Sequence, residues 1–174
     1  GRDDVTPAPG EPGKMPFWKA DAAERTVPFG EAIGRLVREI RDSKREVAIE
    51  RLVAKHDLDQ RAAENFLQYL ADQAEATTVV PDDRTIVVER TRDELGDWRL
   101  TVLSPFGAQV HAPWALLARE RLSRRFGVDA AVLHGDDGIV ARLPDLPDDE
   151  WLADATACLF PEPDEIEADV TRLI

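Results

Sequence analysis

Residues 85–103 have the sequence TIVVERTRDELGDWRLTVL, in which two β-rich runs flank a short polar stretch. The runs, residues 85–90 and 98–103, contain the β-branched, aromatic and aliphatic side chains that favour strands. Between them, Asp93-Glu-Leu-Gly-Asp97 supplies the residue types of a tight connection. The stretch therefore predicts an antiparallel hairpin, and it decides the fold class because the residues before it follow the period of helices.

The chain before the hairpin shows helical periodicity. Apolar side chains recur at the 3.6-residue spacing in three consecutive segments, residues 29–42, 44–56 and 58–76. Asp59 stands at the start of the third segment and is predicted to be its N-cap. Three short helices in succession predict a small helical lobe.

The chain after the hairpin alternates between strand and helix patterns. Ser104-Pro-Phe-Gly107 interrupts the second strand, which is predicted to resume over residues 108–111. A helix is predicted over residues 112–126, with Pro113 tolerated in its first turn. The turn residues Gly135-Asp-Asp-Gly138 are predicted to connect two further strands. Those strands and two acidic helices are predicted over residues 128–133, 139–143, 148–157 and 163–173.

These elements predict an α+β fold in which a small helical lobe is followed by an antiparallel sheet packed with one or two helices. A length of 174 residues suits one domain. We divide it into an extended Pro/Gly-rich segment, a helical lobe, an antiparallel α+β sheet lobe and an acidic C-terminal segment, which are residues 1–28, 29–76, 77–144 and 145–174.

The charge distribution leaves room for a basic surface. The net charge is −13, but residues 145–174 contain ten acidic and one basic residue and carry −9 of it. The single cysteine, Cys158, excludes an internal disulfide framework and a Cys-rich zinc site. No run of 18 apolar residues and no signal peptide is found, so we expect a cytoplasmic protein with no membrane contact.

The sequence offers few candidates for catalysis. It has no phosphate-binding loop, no Gly-x-Ser-x-Gly elbow and no His-Glu-x-x-His helix. The acidic pair Asp136-Asp137 could bind a metal or transfer protons, or simply form a turn. We therefore predict no catalytic residue, no metal site and no bound cofactor, with an enzyme based on the paired acids as a minor alternative.

Basic and aromatic residues are more informative, and they occur in two places. In the first, Phe17 and Trp18 lie between Lys14 and Lys19; these aromatics either contact a ligand or pin the segment onto a neighbouring core. The second is the predicted helix 112–126. Its candidates for gripping single-stranded nucleic acid are Trp114, Arg121, Arg124 and Arg125. In the alternative interpretation, these arginines pair with the acidic C-terminus and Trp114 is a core anchor.

Four ordered segments resemble a known family. The first is Ser104-Pro-Phe-Gly-Ala-Gln-Val-His-Ala-Pro-Trp114. The others are Thr6-Pro-Ala-Pro-Gly-Glu-Pro-Gly-Lys-Met-Pro-Phe-Trp18, Val80-Pro-Asp-Asp-Arg-Thr-Ile-Val-Val-Glu-Arg90 and Asp136-Asp-Gly-Ile-Val140. Together they resemble the DEAD/H-associated region of Lhr-like (large helicase-related) helicases of superfamily 2. One departure is Lys19-Ala-Asp-Ala-Ala-Glu-Arg25, where the family usually has a glycine-rich stretch.

The resemblance implies a role within a larger machine. Lhr-like proteins are ATP-dependent 3′-to-5′ DNA helicases linked to DNA repair, which also unwind RNA:DNA hybrids. Their DEAD/H-associated region follows two RecA-like lobes, which bind ATP and Mg²⁺, and a winged helix. The resemblance thus implies an excised or truncated accessory domain of a nucleoid-associated protein. Such a domain would lack ATP hydrolysis of its own while its parent is an ATP hydrolase.

The resemblance also implies a partner and a set of contacts. The region closes over the tracking single strand of DNA, so Trp18 is expected to stack on a base, with Lys14 and Lys19 near phosphates. The arginines of helix 112–126 and Trp114 are further candidates for this interface. The rival hypothesis is a scaffold or protein-interaction domain that has no direct nucleic-acid contact.

Overall fold

The computed structural model describes residues 24–145 and 151–173, which form six helices and four strands. In chain order these are α1 (Val27–Arg41), α2 (Arg45–Lys55), α3 (Gln60–Thr77), β1 (Val87–Arg92), β2 (Trp98–Leu103), α4 (Ala108–Phe126), β3 (Ala131–Gly135), β4 (Gly138–Leu143), α5 (Trp151–Leu159) and α6 (Pro163–Leu173). The predicted α+β class, with helices preceding an antiparallel sheet, is confirmed. Within these residues, no helix is long and apolar enough to cross a membrane.

The first three helices enclose a core of their own. Ile40 of α1, Ala48 and Leu52 of α2, and Ala63 and Leu70 of α3 are all buried in it. The start of α3 is capped as predicted, because the Asp59 carboxylate accepts the Ala62 amide hydrogen at 2.7 Å. The helical lobe thus follows from amphipathic spacing and local capping.

The four strands form one antiparallel sheet in the order β1-β2-β4-β3. The predicted hairpin is the β1–β2 pair, in which Val87 faces Leu103 across the ladder. On the neighbouring pair, Leu100 is opposite Ala141 and Val102 is opposite Ile139. Opposed residues share a face, so these side chains lie on the side of the sheet that is buried in the core.

Two helices from distant parts of the sequence complete that second core. Helix α4 supplies Ala115, Ala118 and Leu122, and α5 supplies Trp151 and Leu159. The acidic C-terminal segment therefore has an apolar side, which packs on α4 and the sheet. Its acidic side chains are left to face solvent or the arginines of α4.

The prediction of a strand over residues 108–111 is wrong, because α4 begins at Ala108. Gly107, with φ +90°, turns the chain directly into the helix. The Asp136 carboxylate accepts the Ala108 amide hydrogen at 2.9 Å, as a capping residue would, but it comes from another element. Pro113 accordingly lies inside the helix and not in its first turn. A cap supplied from 28 residues away leaves no local signal.

Candidate nucleic-acid interface

The three residues expected to contact the strand most directly, Lys14, Trp18 and Lys19, lie outside the described residues. The described residues begin at Glu24, and Arg25 is the first of them with several hydrogen bonds. The surroundings of Arg25 therefore define where the segment that carries Trp18 joins the fold.

Arg25 is held by both its backbone and its side chain. Its amide donates to the two carboxylate oxygens of Asp136 at 3.1 and 3.2 Å. Its guanidinium donates to the carbonyl oxygens of Pro105 (3.3 Å) and Asp136 (3.1 Å) and to the Asp137 carboxylate (2.8 Å). The side chain is only 19% exposed. Such a set of partners fixes the direction of the chain as well as the position of one charge.

Asp136 bonds to two elements at once. Besides the Arg25 amide, it accepts the Ala108 amide at the positive end of α4, and this bond is the main reason that the pKa of its carboxyl is lowered. The Arg25 amide and the nearby charge of the Arg25 guanidinium lower the pKa further. The turn predicted at residues 135–138 is therefore also the connection between α4 and Arg25.

Asp136 is expected to make the fold sensitive to acid. Because the pKa is lowered in the fold, the unfolded chain binds more protons once the pH falls toward about 3.9, the ordinary value for aspartate. The contribution is complete above that value and is lost as the pH falls through the lowered folded value. In urea unfolding, Asp136→Asn should have a lower free energy of unfolding than the unmodified chain at pH 7. This difference in free energy should become smaller below about pH 4. If the difference in free energy of unfolding stays constant down to pH 3, the ionised Asp136 carboxylate is not the source of the acid sensitivity.

A buried histidine ties the same turn to the loop before α4. The His111 imidazole is fully buried, with Nδ1 at 2.7 Å from the carbonyl oxygen of Gly135 and Nε2 at 3.0 Å from the Ser104 hydroxyl. A carbonyl can only accept, so Nδ1 donates to Gly135, and in the neutral ring Nε2 accepts from Ser104. His111 is therefore packed inside the fold with both ring nitrogens bonded.

The helical lobe packs next to the Arg25 junction through close backbone contacts and ion pairs. A Cβ atom on Gly30 of α1 would lie 2.2 Å from the carbonyl oxygen of Pro105, so only glycine lets α1 approach. The Arg38 guanidinium donates to Asp83 at 2.6 and 2.9 Å, and this pairing lowers the pKa of the Asp83 carboxyl. Arg41 pairs with the buried Asp82 at 2.9 Å.

An open groove runs between the two lobes next to Arg25. Its volume is about 360 Å³, and Arg25 and Ser104 line one side of it. The opposite side is formed by α1 and α3, where Phe66 and the half-exposed Tyr69 contribute aromatic rings. The junction at Arg25 therefore borders an open groove whose walls are mostly apolar and include two aromatic rings.

The arginines of α4 are paired with the acidic helices. Arg121 binds Glu165 at 2.8 Å and Asp169 at 2.9 Å, both on α6, and Arg125 binds Asp154 on α5. Arg124 is exposed and forms no ion pair within residues 24–145 and 151–173. This is the alternative pairing considered from the sequence, in which the C-terminal acids neutralise the helix.

Trp114 lies at the contact between α4 and the end of α5. Its indole N–H donates to the carbonyl oxygen of Leu159, and its ring packs edge-on against Phe160 with centroids 5.4 Å apart. The side chain is half-buried. Trp114 therefore serves as a packing anchor, with only part of its ring left for another partner.

Several arginines on the sheet were not singled out by the sequence analysis. Arg92 and Arg90 lie over the Trp98 ring at 3.9 and 4.8 Å from its centroid. Arg142 pairs with Asp93 and Asp97 at 2.8 and 2.9 Å and so ties the β1–β2 hairpin to β4. The register of the sheet brings them together, and the sequence contains no compact motif that could have shown it.

Cys158, the lone thiol, is buried under α4, and burial raises the pKa of its thiol. In residues 24–145 and 151–173, no three His, Cys, Asp or Glu side chains are grouped so as to hold a metal ion. The functional interest of the described fold therefore centres on the Arg25 junction and the α4 surface.

Comparison with protein families decides the relationship of this chain. The model of the DEAD/H-associated family matches residues 80–174, which include the whole sheet and helices α4 to α6. The chain belongs to the DEAD/H-associated family. The matched part of this DEAD/H-associated chain contains Ser104, His111 and Asp136, whereas Arg25 and the helical lobe precede it.

Two curated relatives extend the likeness over nearly the whole DEAD/H-associated chain. The Lhr helicase/probable uracil glycosylase of Mycolicibacterium smegmatis is 44% identical over 167 residues, which are 96% of this chain and 11% of that protein. The Lhr helicase/uracil glycosylase of Escherichia coli is 38% identical over 162 residues, or 93% of this chain and 10% of that protein. The chain thus spans about a tenth of the length of these relatives.

A solved structure shows the same likeness in three dimensions. It is the helicase Lhr of Mycobacterium smegmatis bound to ssDNA and AMP-PNP, and it matches with a TM-score of 0.75 at 41% identity. The match covers 95% of this chain and 20% of that one. The DEAD/H-associated chain described here is therefore similar to part of an Lhr helicase in both sequence and fold.

Proposed function

We propose that this chain is the accessory domain with which an Lhr-type ATP-dependent 3′-to-5′ DNA helicase, active in DNA repair, engages its tracking single strand. The observation that carries the proposal is the likeness, at 41% identity and over 95% of the chain, to an Lhr helicase whose structure contains ssDNA. RNA:DNA hybrids are proposed as a further duplex substrate of the intact helicase. Its RecA-like lobes, proposed to bind ATP and Mg²⁺, and its winged helix are the proposed neighbours of this domain.

The proposed contact is a stacking interaction made by Trp18. An indole presents a large flat surface at a small cost in side-chain entropy, and it stacks on any base irrespective of sequence. Lys14 and Lys19 flank it and are proposed to lie near phosphates. Trp18 lies seven positions before the bonded Arg25, and an extended chain spans at most about 3.6 Å per residue. Trp18 therefore acts within about 25 Å of the Arg25 junction.

The α4 surface is proposed as a secondary part of the interface. Arg124 is exposed and has no ion pair within the described ranges, so it can bind a phosphate without giving up another partner. Arg121 and Arg125 would have to exchange carboxylates of α5 and α6 for phosphates. Trp114 would contribute only its exposed edge. Among these candidates, Arg124 is accordingly expected to matter most for affinity.

Trp18→Ala in the intact polypeptide that contains this chain tests the proposal. Loss of one stacked base is worth about 1–3 kcal/mol, so the dissociation constant for a single-stranded oligonucleotide should rise about 5- to 150-fold. Fluorescence anisotropy with a labelled oligonucleotide measures the change, and strand displacement should fall with it. Trp18→Phe is the matched control, because it keeps an aromatic face and should retain most of the affinity. Affinity and unwinding that are unaltered in Trp18→Ala would refute the proposed contact.

The pairing of Arg121 and Arg125 with acidic helices favours a second candidate, a protein-interaction or scaffold domain without nucleic-acid contact. Salt dependence separates the two functions. Each neutralised phosphate of a single strand changes log K by about 0.7 per unit of log salt concentration. Binding of the oligonucleotide that is lost on Trp18→Ala and falls with salt supports strand engagement. An absence of binding by the unmodified protein at low salt supports the scaffold.

A further inference from the structure

We propose that Arg25, Asp136 and Asp137 form a positioning clamp that fixes the chain at Arg25 to the amino terminus of α4 and thereby supports strand binding by Trp18. The inference rests on the proposed function, because it assigns the clamp a role in presenting Trp18 to the strand. None of the three residues is proposed to touch nucleic acid. Arg25 is thus a positioning residue that acts through another side chain.

The first argument is the way in which Arg25 is bonded. An arginine in an extended segment ordinarily directs its guanidinium to water, because exposed ion pairs contribute little to stability. Here the guanidinium turns inward to two carbonyl oxygens and a carboxylate, and the backbone amide is itself bonded to Asp136. Side-chain bonds alone would leave the backbone at Arg25 free to pivot. The additional backbone bond fixes the position of the backbone at Arg25 itself.

The second argument is the absence of free space between the chain at Arg25 and α4. A Cβ atom on Gly107 would lie 2.3 Å from the carbonyl oxygen of Arg25. The two backbones are therefore in direct contact at Gly107, the residue just before α4, and only glycine allows it. Gly107 also has φ +90°, which independently excludes most other residues.

The third argument is that the groups around Arg25 are themselves held by hydrogen bonds to other elements. Asp136 is bound to the Ala108 amide at 2.9 Å, and the neighbouring Gly135 carbonyl is bound to the buried His111. His111 also bonds Ser104, which precedes the Pro105 carbonyl used by Arg25. The clamp is thus connected to α4, to the β3–β4 turn and to the loop after β2. Two of the segments that resemble the Lhr family, residues 104–114 and 136–140, meet in it.

Anchoring matters because a stacking side chain that is not pre-positioned must be ordered when the strand binds. Each rotamer-rich side chain immobilised on binding costs about 0.5–1.5 kcal/mol, and a segment held at one end has already lost part of this freedom. Removal of the Arg25 side-chain bonds should therefore weaken binding of a single strand about 2- to 10-fold, because Trp18 must then be ordered on binding. Contacts between the strand and residues other than Trp18 should be unchanged.

A double-mutant cycle in the intact polypeptide tests the clamp. Arg25→Ala, Trp18→Ala and the double variant are compared by the dissociation constant for a labelled single-stranded oligonucleotide at one salt concentration. Arg25→Ala should weaken binding about 2- to 10-fold when Trp18 is present, and by less than about 1.5-fold in the Trp18→Ala background. Arg35→Ala is the matched control: Arg35 is an exposed arginine on α1 without an ion pair in residues 24–145 and 151–173, and its loss should leave the affinity unchanged.

The outcomes separate the clamp from the proposed function. If Trp18→Ala weakens binding but Arg25→Ala has no effect, or has the same effect in both backgrounds, the clamp is refuted and strand engagement by Trp18 stands. If Trp18→Ala itself has no effect, both proposals are overturned. Where Arg25→Ala lowers the unfolding temperature, Arg25→Gln replaces it in the cycle. Like alanine, glutamine keeps the backbone amide that donates to Asp136 and loses the guanidinium, so it must show the same dependence on Trp18.

Discussion

Replacing Gly138 with alanine is expected to lower the free energy of unfolding by about 2–6 kcal/mol, the sum of backbone strain and steric overlap. Gly138 begins β4 with φ +144°, and a Cβ atom there would lie 1.8 Å from the carbonyl oxygen of Val102. Val102 lies on the neighbouring strand β2, and its side chain is fully buried. The carbonyl therefore cannot move away without opening the core. Urea unfolding of the chain monitored by circular dichroism measures the loss.

Gly96→Ala is the matched control for this prediction. Gly96 lies in the β1–β2 connection with φ +87°, and among the residues that the structure describes, apart from its two chain neighbours, none has an atom within 4 Å of the position of its Cβ. Its replacement adds strain without overlap, so it should cost about 1–2 kcal/mol. Equal losses at Gly96 and Gly138 would show that backbone conformation alone sets the cost and would contradict the steric argument.

His111→Ala is expected to destabilise the chain by about 3–5 kcal/mol. The substitution removes a fully buried ring and leaves the Gly135 carbonyl and the Ser104 hydroxyl without their partner. The buried Ser104 hydroxyl without its partner costs about 1–3 kcal/mol, and the cavity left by the ring adds to this. The same denaturation experiment measures the loss. Because Ser104 and Gly135 flank the Arg25 clamp, amide hydrogen exchange should also increase in residues 104–108.

His134→Ala provides the comparison for His111. His134 is an exposed residue of β3, so its replacement should change the free energy of unfolding by no more than about 0.5 kcal/mol. Comparing the two variants shows whether the loss of stability comes from removing a buried, hydrogen-bonded ring or from removing any histidine. A cost below about 1 kcal/mol for His111→Ala would mean that water or side-chain rearrangement replaces both bonds.

The elements that could be predicted are those with strong local patterns. The β1–β2 hairpin lies at residues 87–103 because two β-rich runs flank turn residues, and the three helices of the first lobe follow apolar spacing. The cap at Asp59 was predictable for the same reason, since donor and acceptor are three residues apart. In each case the interaction that forms the element is encoded within a few residues.

The start of α4 could not be predicted in this way. Its first amide is satisfied by Asp136, which follows Ala108 by 28 residues and belongs to the turn before β4. Read locally, Asp136-Asp137 has the composition of an ordinary turn, and it does form one. Its second role, to connect α4 to Arg25, depends on the strand order that brings the β3–β4 turn beside the loop after β2.

The candidate interface was predicted only in part. The α4 arginines were identified from their density, together with the alternative that acidic helices neutralise them, and Arg121 and Arg125 are paired in that manner. Arg25 was not identified, because nothing adjacent to it in the chain distinguishes it from a linker arginine. Its significance comes entirely from partners about 80 and 111 residues away.

The order of apolar and polar residues was sufficient to specify the α+β class, the helical lobe and the hairpin, because these depend on spacings of two to four residues. The four resembling segments likewise pointed to the DEAD/H-associated family without any coordinates. Which carboxylate caps α4, which acids neutralise its arginines and how Arg25 is held all required the tertiary structure. These contacts join residues far apart in the chain, and only packing of the sheet against its helices brings them within bonding distance.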